Sequence, residues 1–157
     1  MNSSNHIQSY WKVLCLGIAL LLSTPGVAQA NDQHRLSLGV GVVTLGNPSQ
    51  TSVSINGEYE YRMDPFLGIG FSGNYLLSNP AVALLAIPGF FLHPFAGSWI
   101  VSAAPVFQIL TGANTAVGFR LGTRLPFSLG PVNVNPSVSV DFINGGENYV
   151  FGFGLSI

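Results

Sequence analysis

The chain is 157 residues long, enough for one domain, and only 7% of its residues are charged, against about 25% in soluble globular domains. Its five Lys and Arg and six Asp and Glu give a formal net charge of −1, which argues against nucleic-acid binding, since that requires a basic face. We therefore expect much of the surface to face something other than water.

Residues 1–30 have the three parts of an export signal. A polar segment with one cation, Lys12, precedes the apolar run VLCLGIALLL, and residues 28–30 (AQA) have the small-x-small pattern of a cleavage site. A transmembrane helix, the alternative, needs about 20 apolar residues, and this run is shorter. We predict Sec-type export with cleavage before Asn31, which leaves residues 31–157 as the mature domain.

Large apolar residues alternate with small or polar ones along residues 31–157, the period-two pattern of β-strands. Short breaks rich in Gly, Pro, Asn and Asp divide this region into eight segments, which predicts antiparallel hairpins. The segments are RLSLGVGVV, TSVSINGEYEYRM, FLGIGFSGNYLL, one at about 82–93, one at about 98–110, TAVGFRLGTRLPF, 132–142 and the closing NGGENYVFGFGLSI.

The fourth and fifth segments are apolar on both faces, so alternation defines their phase less clearly. We place Trp99, Val101, Ala103, Phe107 and Ile109 on one face. The two segments could also give the barrel an apolar sector that binds a lipid-like molecule; its candidate residues are Ala83, Leu84, Ile87, Ile100, Ala104 and Val106. Side-chain packing is the simpler interpretation.

The size of the apolar side chains distinguishes a soluble barrel from a membrane barrel. The interior of an eight-stranded barrel is only just wide enough for side chains, and each overpacked site costs about 1–3 kcal/mol. The many aromatic residues fit better on a wall that faces lipid. We therefore predict an all-β fold, an eight-stranded antiparallel up-and-down transmembrane β-barrel; a soluble barrel that binds a small apolar ligand is the alternative.

Six charged residues fall on the face predicted to line the lumen: Glu58, Glu60, Arg62, Arg120, Arg124 and Asp141. Counting from the preceding loops puts Glu58 and Arg120 at similar depths, with Glu60 and Arg124 lower. Unpaired charges in a narrow lumen are costly. We therefore predict a Glu/Arg network that plugs the barrel, rather than charges that line an open pore.

Catalytic and metal sites have little support in the sequence. His93 has no acidic neighbour along the chain, so we interpret it as a turn residue at the membrane interface and only weakly as a catalytic base. No paired histidines point to a metal site, and we expect no cofactor. The predicted external breaks LGNPSQ, SNP, TGAN and NGGE are short, which disfavours an adhesin.

Residues 34–157 resemble the small eight-stranded outer-membrane β-barrel proteins, the class of the OmpA transmembrane domain and OmpX. The resemblance is carried by the alternating pattern, by FLHPFAGSWIVSAAPVF and by the closing NPSVSVDFINGGENYVFGFGLSI. Such proteins commonly end in Phe, whereas this chain ends in Ile157.

That resemblance implies a location in the outer membrane of a Gram-negative-type envelope. The implied partners are outer-membrane lipids and, during biogenesis, the assembly machinery, and the implied state is a monomer. The class contains proteins with different roles; we predict a structural or unassigned role, and the alternative is a barrel-embedded hydrolase or acyltransferase that acts on envelope lipids.

Overall fold

The computed structural model describes residues 33–46, 49–77, 82–94, 99–110, 115–130 and 132–156. These residues form nine strands: β1 (His34–Gly46), β2 (Ser49–Arg62), β3 (Leu67–Leu76), β4 (Val82–Leu92), β5 (Ile100–Leu110), β6 (Ala116–Arg124), β7 (Phe127–Leu129), β8 (Val132–Ile143) and β9 (Gly146–Ser156). The predicted export signal and Ile157 lie outside the described residues. None of the described residues forms a helix long and apolar enough to cross a membrane.

Antiparallel pairing closes the strands into a barrel. Strands β1 to β6 pair in chain order, β8 pairs with β9, and β9 pairs back onto β1 with Val40 opposite Phe153. Strand β6 also pairs with β8, and the short β7 continues along β8 on the same side. Strands β6 and β7 therefore occupy the position of one interrupted strand, so the nine strands form an eight-stranded barrel. This confirms the predicted fold.

The sixth predicted segment is broken at residues 125–126 because Pro126 has no N–H to donate to the sheet. The N–H of Leu125 still donates to the carbonyl of Pro136 on β8, at 3.1 Å. At the other end of β8, the two residues of the turn into β9, Asn144 and Gly145, both have positive φ, 53° and 73°. An Asn-Gly pair is the usual choice for such a hairpin.

Side chains are distributed the opposite way from those of a water-soluble protein. Glu60, His93 and Asp141 are 1%, 0% and 0% exposed, whereas Phe151 and Phe153 are each 50% exposed. Large apolar side chains cover the outer wall on β1 to β6, β8 and β9. This is the arrangement of a barrel with lipid outside and a polar lumen.

Glycines on the inner face make room for the polar side chains. A Cβ at Gly152 would lie 2.7 Å from Asn56 Nδ2, and one at Gly41 would lie 2.9 Å from the same atom. A Cβ at Gly68 would contact the carboxylate of Glu60. The inner face of β9, which carries Gly152 and Gly154, is thus covered by side chains from the nearby strands β8, β1 and β2.

We call the end of the barrel where β1 begins and β9 ends the termini end, and the opposite end the loop end. The loop-end half of the lumen is filled by a single apolar cluster, which we call the apolar plug. Its members are Val43, Leu45, Leu76, Val82, Leu84, Ala86, Ala104, Val106, Ile143 and Val150. Leu110 and Ala116 pack against it.

An irregularity in β4 changes which of its residues face inward. The pairing with β5 shifts register between Ala86 and Phe90, so that Leu84 and Ala86 face inward before the shift and Phe91 after it. Ile87 lies at the shift and is 42% exposed. Its proposed place in an apolar inner sector is therefore wrong, because Leu84 and Ala86 already define the inward phase of this part of β4. Ala83, which stands opposite the exposed Ile109, also lies on the outer wall.

Candidate functional site

Charged and amide side chains fill the termini-end half of the lumen. They come from the start of β1, the second half of β2, the second half of β3, the residue after β4, the middle and end of β6, and both halves of β8, where Asp141 lies two residues before Ile143 of the apolar plug. Alternation points each of them inward. Two groups form: a central pair, Arg120 and Asp141, and a set that we call the charge cluster, made of Arg35, Glu58, Glu60, Arg62, His93 and Arg124.

Arg120 and Asp141 form a bidentate ion pair between β6 and β8. Arg120 Nε donates to Asp141 Oδ1 at 2.5 Å and Nη2 donates to Oδ2 at 2.7 Å. Nη1 reaches across the lumen to Asn74 Oδ1 at 2.8 Å and Ser72 Oγ at 3.3 Å. Both charges are buried, and the donors of Arg120 have partners, which is what makes a buried ion pair tolerable.

Arg124 joins two carboxylates from β2. Its Nη2 donates to Glu60 Oε2 at 2.9 Å, and Nη1 pairs with Glu58 Oε1. The guanidinium also lies over the ring of Phe91, 5.7 Å from its centroid, a cation–π contact. Arg124 is thus held by two acids and an aromatic ring.

His93 belongs to the charge cluster rather than to the membrane interface, where the sequence places it. Its Nε2 contacts Glu60 Oε1, and its Nδ1 lies 3.3 Å from Arg62 Nη2. The backbone N–H of His93 donates to the carbonyl oxygen of Phe66 at 2.8 Å, which ties the end of β4 to the residue before β3. The side chain points inward because the register shift in β4 reverses the phase expected from alternation.

Arg35 completes the charge cluster from β1, and sequence reasoning missed it. It stands opposite Glu60 in the β1–β2 pairing and donates through Nη2 to Asn135 Oδ1 and Ser156 Oγ, the latter at 3.3 Å. Its place on the same face as Ser37 and Gly39 was a usable signal, because alternation puts all three inward.

A cavity of about 70 Å³ lies beside the charge cluster and the central pair and reaches the apolar plug at Val150. Arg124, Glu58 and Asn135 line one side, Val150 lines the other, and the walls carry several serines. Within the described residues, Nε of Arg124 has no hydrogen-bond partner. A polar cavity of this size has room for a few water molecules that can accept from such a donor.

No protein-family model and no curated protein matches the sequence, but solved structures share the fold. The N-terminal β-barrel domain of Pseudomonas aeruginosa OprF matches with a TM-score of 0.62 at 12% identity, over 79% of this chain and 96% of that one. Neisserial surface protein A (NspA) matches with 0.55 at 10% identity, over 80% and 97%. A de novo designed transmembrane β-barrel matches with 0.52 at 14% identity, over 78% and 95%.

The chain has the fold of the small eight-stranded outer-membrane β-barrels. In such a barrel polar and charged side chains lie on the inner face. Five of the six charged residues predicted to line the lumen form two separate groups of ion pairs. Arg62, the sixth, joins the charge cluster through His93. Glu58 and Arg120, which were expected at similar depths, do not pair with each other. Arg120 binds Asp141, and both glutamates bind Arg124.

The side chain of His93 is enclosed and is not accessible to a substrate. Both ring nitrogens are engaged by Glu60 and Arg62, and the side chain has no exposed surface. Among the described residues, no group of three or more His, Cys, Asp or Glu side chains is placed to hold a metal ion.

Proposed function

We propose that the protein is an exported outer-membrane β-barrel with a structural role and a closed lumen that conducts no ions. The filling of the lumen carries the proposal: ion pairs occupy the termini-end half, the apolar plug occupies the loop-end half, and the cavity between them is about 70 Å³. Water-filled pores in this class of fold belong to barrels with many more strands.

Conductance across a planar lipid bilayer tests the closed lumen. The purified barrel, shown to be folded by its heat-dependent migration on a denaturing gel, should insert without producing steps of ionic current. A porin reconstituted in the same membrane serves as the positive control. Steady single-channel steps from the unmodified protein would reject the proposal.

Export to the outer membrane is supported by the apolar outer wall and by the signal-like residues 1–30. Fractionation of expressing cells should place the protein with outer-membrane markers, and the intact mass should correspond to residues 31–157. A protein that is found in the periplasm without detergent would contradict this location.

Outer-membrane lipids and, during insertion, the assembly machinery are the proposed partners of the wall, and the proposed state is a monomer. Closure of the barrel supports the monomer, because β1 pairs with β9 and β6 pairs with β8. The described strands therefore leave no long edge with unpaired backbone groups. Chemical cross-linking in native membranes should give a single band at the monomer mass. A dominant band at twice that mass would contradict it.

A non-catalytic role is supported by the enclosed position of His93. Lipid profiles of cells that express the wild-type protein or a His93→Gln variant should be identical. We expect this variant to fold, because Gln retains hydrogen-bonding groups for Glu60 and Arg62. Its folding is verified before the lipid profiles are compared. A lipid species that depends on His93 would instead favour a hydrolase or acyltransferase.

A further inference from the structure

We infer that the barrier to ions lies in the apolar plug, and that the charge cluster is a hydrated vestibule that contributes to stability but not to the seal. This inference rests on the closed lumen of the proposed function and places the seal within it. The two halves of the lumen are separable by mutation, because their side chains come from different positions along the strands.

Strands on all sides of the barrel contribute side chains to the apolar plug. Strands β1, β3, β4, β5, β8 and β9 each contribute buried aliphatic side chains, and Ala116 of β6 packs against them. On β2 the inward residues at this end are Ser52 and Ser54, whose hydroxyls already donate to Val53 O and Asn56 Oδ1. Two further polar groups at this level are also bonded: Asn148 Oδ1 accepts from the N–H of Gly46, and Asp141 is paired with Arg120. An ion would therefore find mainly aliphatic side chains and polar groups that already have partners, and apolar constrictions block ions by excluding water.

Water has access to the charge cluster. The side chain of Glu58 is 24% exposed, and Arg35 and Arg62 are half-buried at the termini end. Their carboxylates and guanidinium groups can replace the water ligands of a passing ion. Charged groups of both signs beside water make a poor barrier compared with a dry aliphatic segment.

The cavity marks the boundary between these two environments. Arg124, Glu58 and Ser37 line it on the side of the charge cluster, and Val150 lines it on the side of the plug. On this assignment, water and small ions that enter from the termini end reach the cavity and stop at Val150 and its aliphatic neighbours.

Paired variants in planar bilayers test where the seal lies. The plug variant combines Leu84→Ser with Val106→Thr; Thr keeps the shape of Val and adds a hydroxyl, and Ser removes bulk. The charge variant combines Arg124→Gln with Glu58→Gln and Glu60→Gln, so that Arg124 and both of its carboxylate partners are neutralised together. Each is first shown to fold by its heat-dependent gel migration, with the wild-type barrel as the reference.

The plug variant should produce single-channel steps, and the charge variant should stay as silent as the wild type. Channels in the charge variant, or silence in the plug variant, would overturn the inference while leaving the closed lumen intact. Channels in the wild type would instead reject the proposed function itself.

Thiol labelling tests the same boundary without requiring a channel to open. Residues 31–157 contain no cysteine, so Ser37→Cys on the cavity side and Ser54→Cys at the level of the plug are single probes. A small charged methanethiosulfonate reagent should modify folded Ser37→Cys and leave folded Ser54→Cys unmodified. Adding the two plug substitutions should make Ser54→Cys reactive. Equal labelling of both probes in the otherwise wild-type barrel would overturn the inference.

Discussion

The two halves of the lumen fill the same narrow space with different chemistry. In the termini-end half, directional bonds fix the arrangement: Arg120 holds Asp141 and Asn74 at 2.5–2.8 Å. In the loop-end half, aliphatic side chains such as Leu84 and Val106 fill space by shape alone. The difference implies that the first half is sensitive to the loss of one partner, and the second to the loss of volume.

Arg120→Ala should have the largest effect, because it leaves Asp141 buried and unpaired. Removing one member of a buried ion pair costs about 3–5 kcal/mol. Urea unfolding in lipid vesicles, followed by the fluorescence of Trp99, measures the free energy of unfolding. We also expect this variant to remain non-conducting.

A double variant provides the control for that prediction. Replacing Arg120 and Asp141 together by Leu removes both charges, and such replacements of buried ion pairs are often close to neutral. A loss of stability in the double variant as large as that in Arg120→Ala would mean that the directional bonds are not the cause.

The charged half could be predicted from the sequence because polar and apolar residues alternate there without interruption. On β2, β6 and β8 the alternation placed Glu60, Arg124 and Asp141 on the lumen face, where the structure has them. Counting from the loops predicted the partners only in part: Glu60 pairs with Arg124, but Glu58 also pairs with Arg124 and not with Arg120. Strands in a closed barrel are tilted and staggered, so residues at equal distances from their loops need not face each other.

The apolar half could be predicted only in part. Segments 82–93 and 98–110 are apolar on both faces, so alternation is weak, and the bulge between Ala86 and Phe90 reverses the phase within β4. That reversal explains why His93 lies inside. Ile87 lies outside without it, because Leu84 and Ala86 already face inward before the shift. A period-two pattern contains no signal for an extra residue in the pairing.

Leu84→Ala tests the apolar half and should have the second-largest effect. Truncating a buried Leu costs about 2–5 kcal/mol, and we expect about 2–3 kcal/mol because water can enter the enlarged lumen from the neighbouring cavity. Ile109→Ala, on the lipid-facing wall of β5, is the matched control. Its effect should be small, since lipid replaces the lost contacts. Equal losses for both variants would contradict the inside-outside assignment.

Gly41→Ala should have the next effect, because the new Cβ would contact both the backbone of β9 and the side chain of Asn56. The new Cβ would lie 2.9 Å from Asn56 Nδ2 and would also contact the carbonyl of Phe151. Overpacking of this kind costs about 1–3 kcal/mol. Gly57→Ala on the outer wall is the control, since its Cβ would meet only Leu38 Cδ2, at 3.6 Å. A barrel that tolerates both substitutions equally would show that the inner glycines are not needed for packing.

Glu58→Gln should have the smallest effect. Comparing it with Glu60→Gln contrasts a partly exposed carboxylate with a buried one in the same charge cluster. Glu58 and Glu60 bind the same guanidinium, but their side chains are 24% and 1% exposed. A solvent-accessible ion pair contributes about 0.2–1 kcal/mol, so Glu58→Gln should fall in that range. Glu60→Gln weakens enclosed bonds to both Arg124 and His93, and hydrogen bonds to charged groups contribute about 1.5–3 kcal/mol. The ratio of the two losses, measured in the same vesicles, therefore reports how far water enters the charge cluster. Equal losses would mean that Glu58 is as dry as Glu60, and the vestibule would then have to end at the termini end itself.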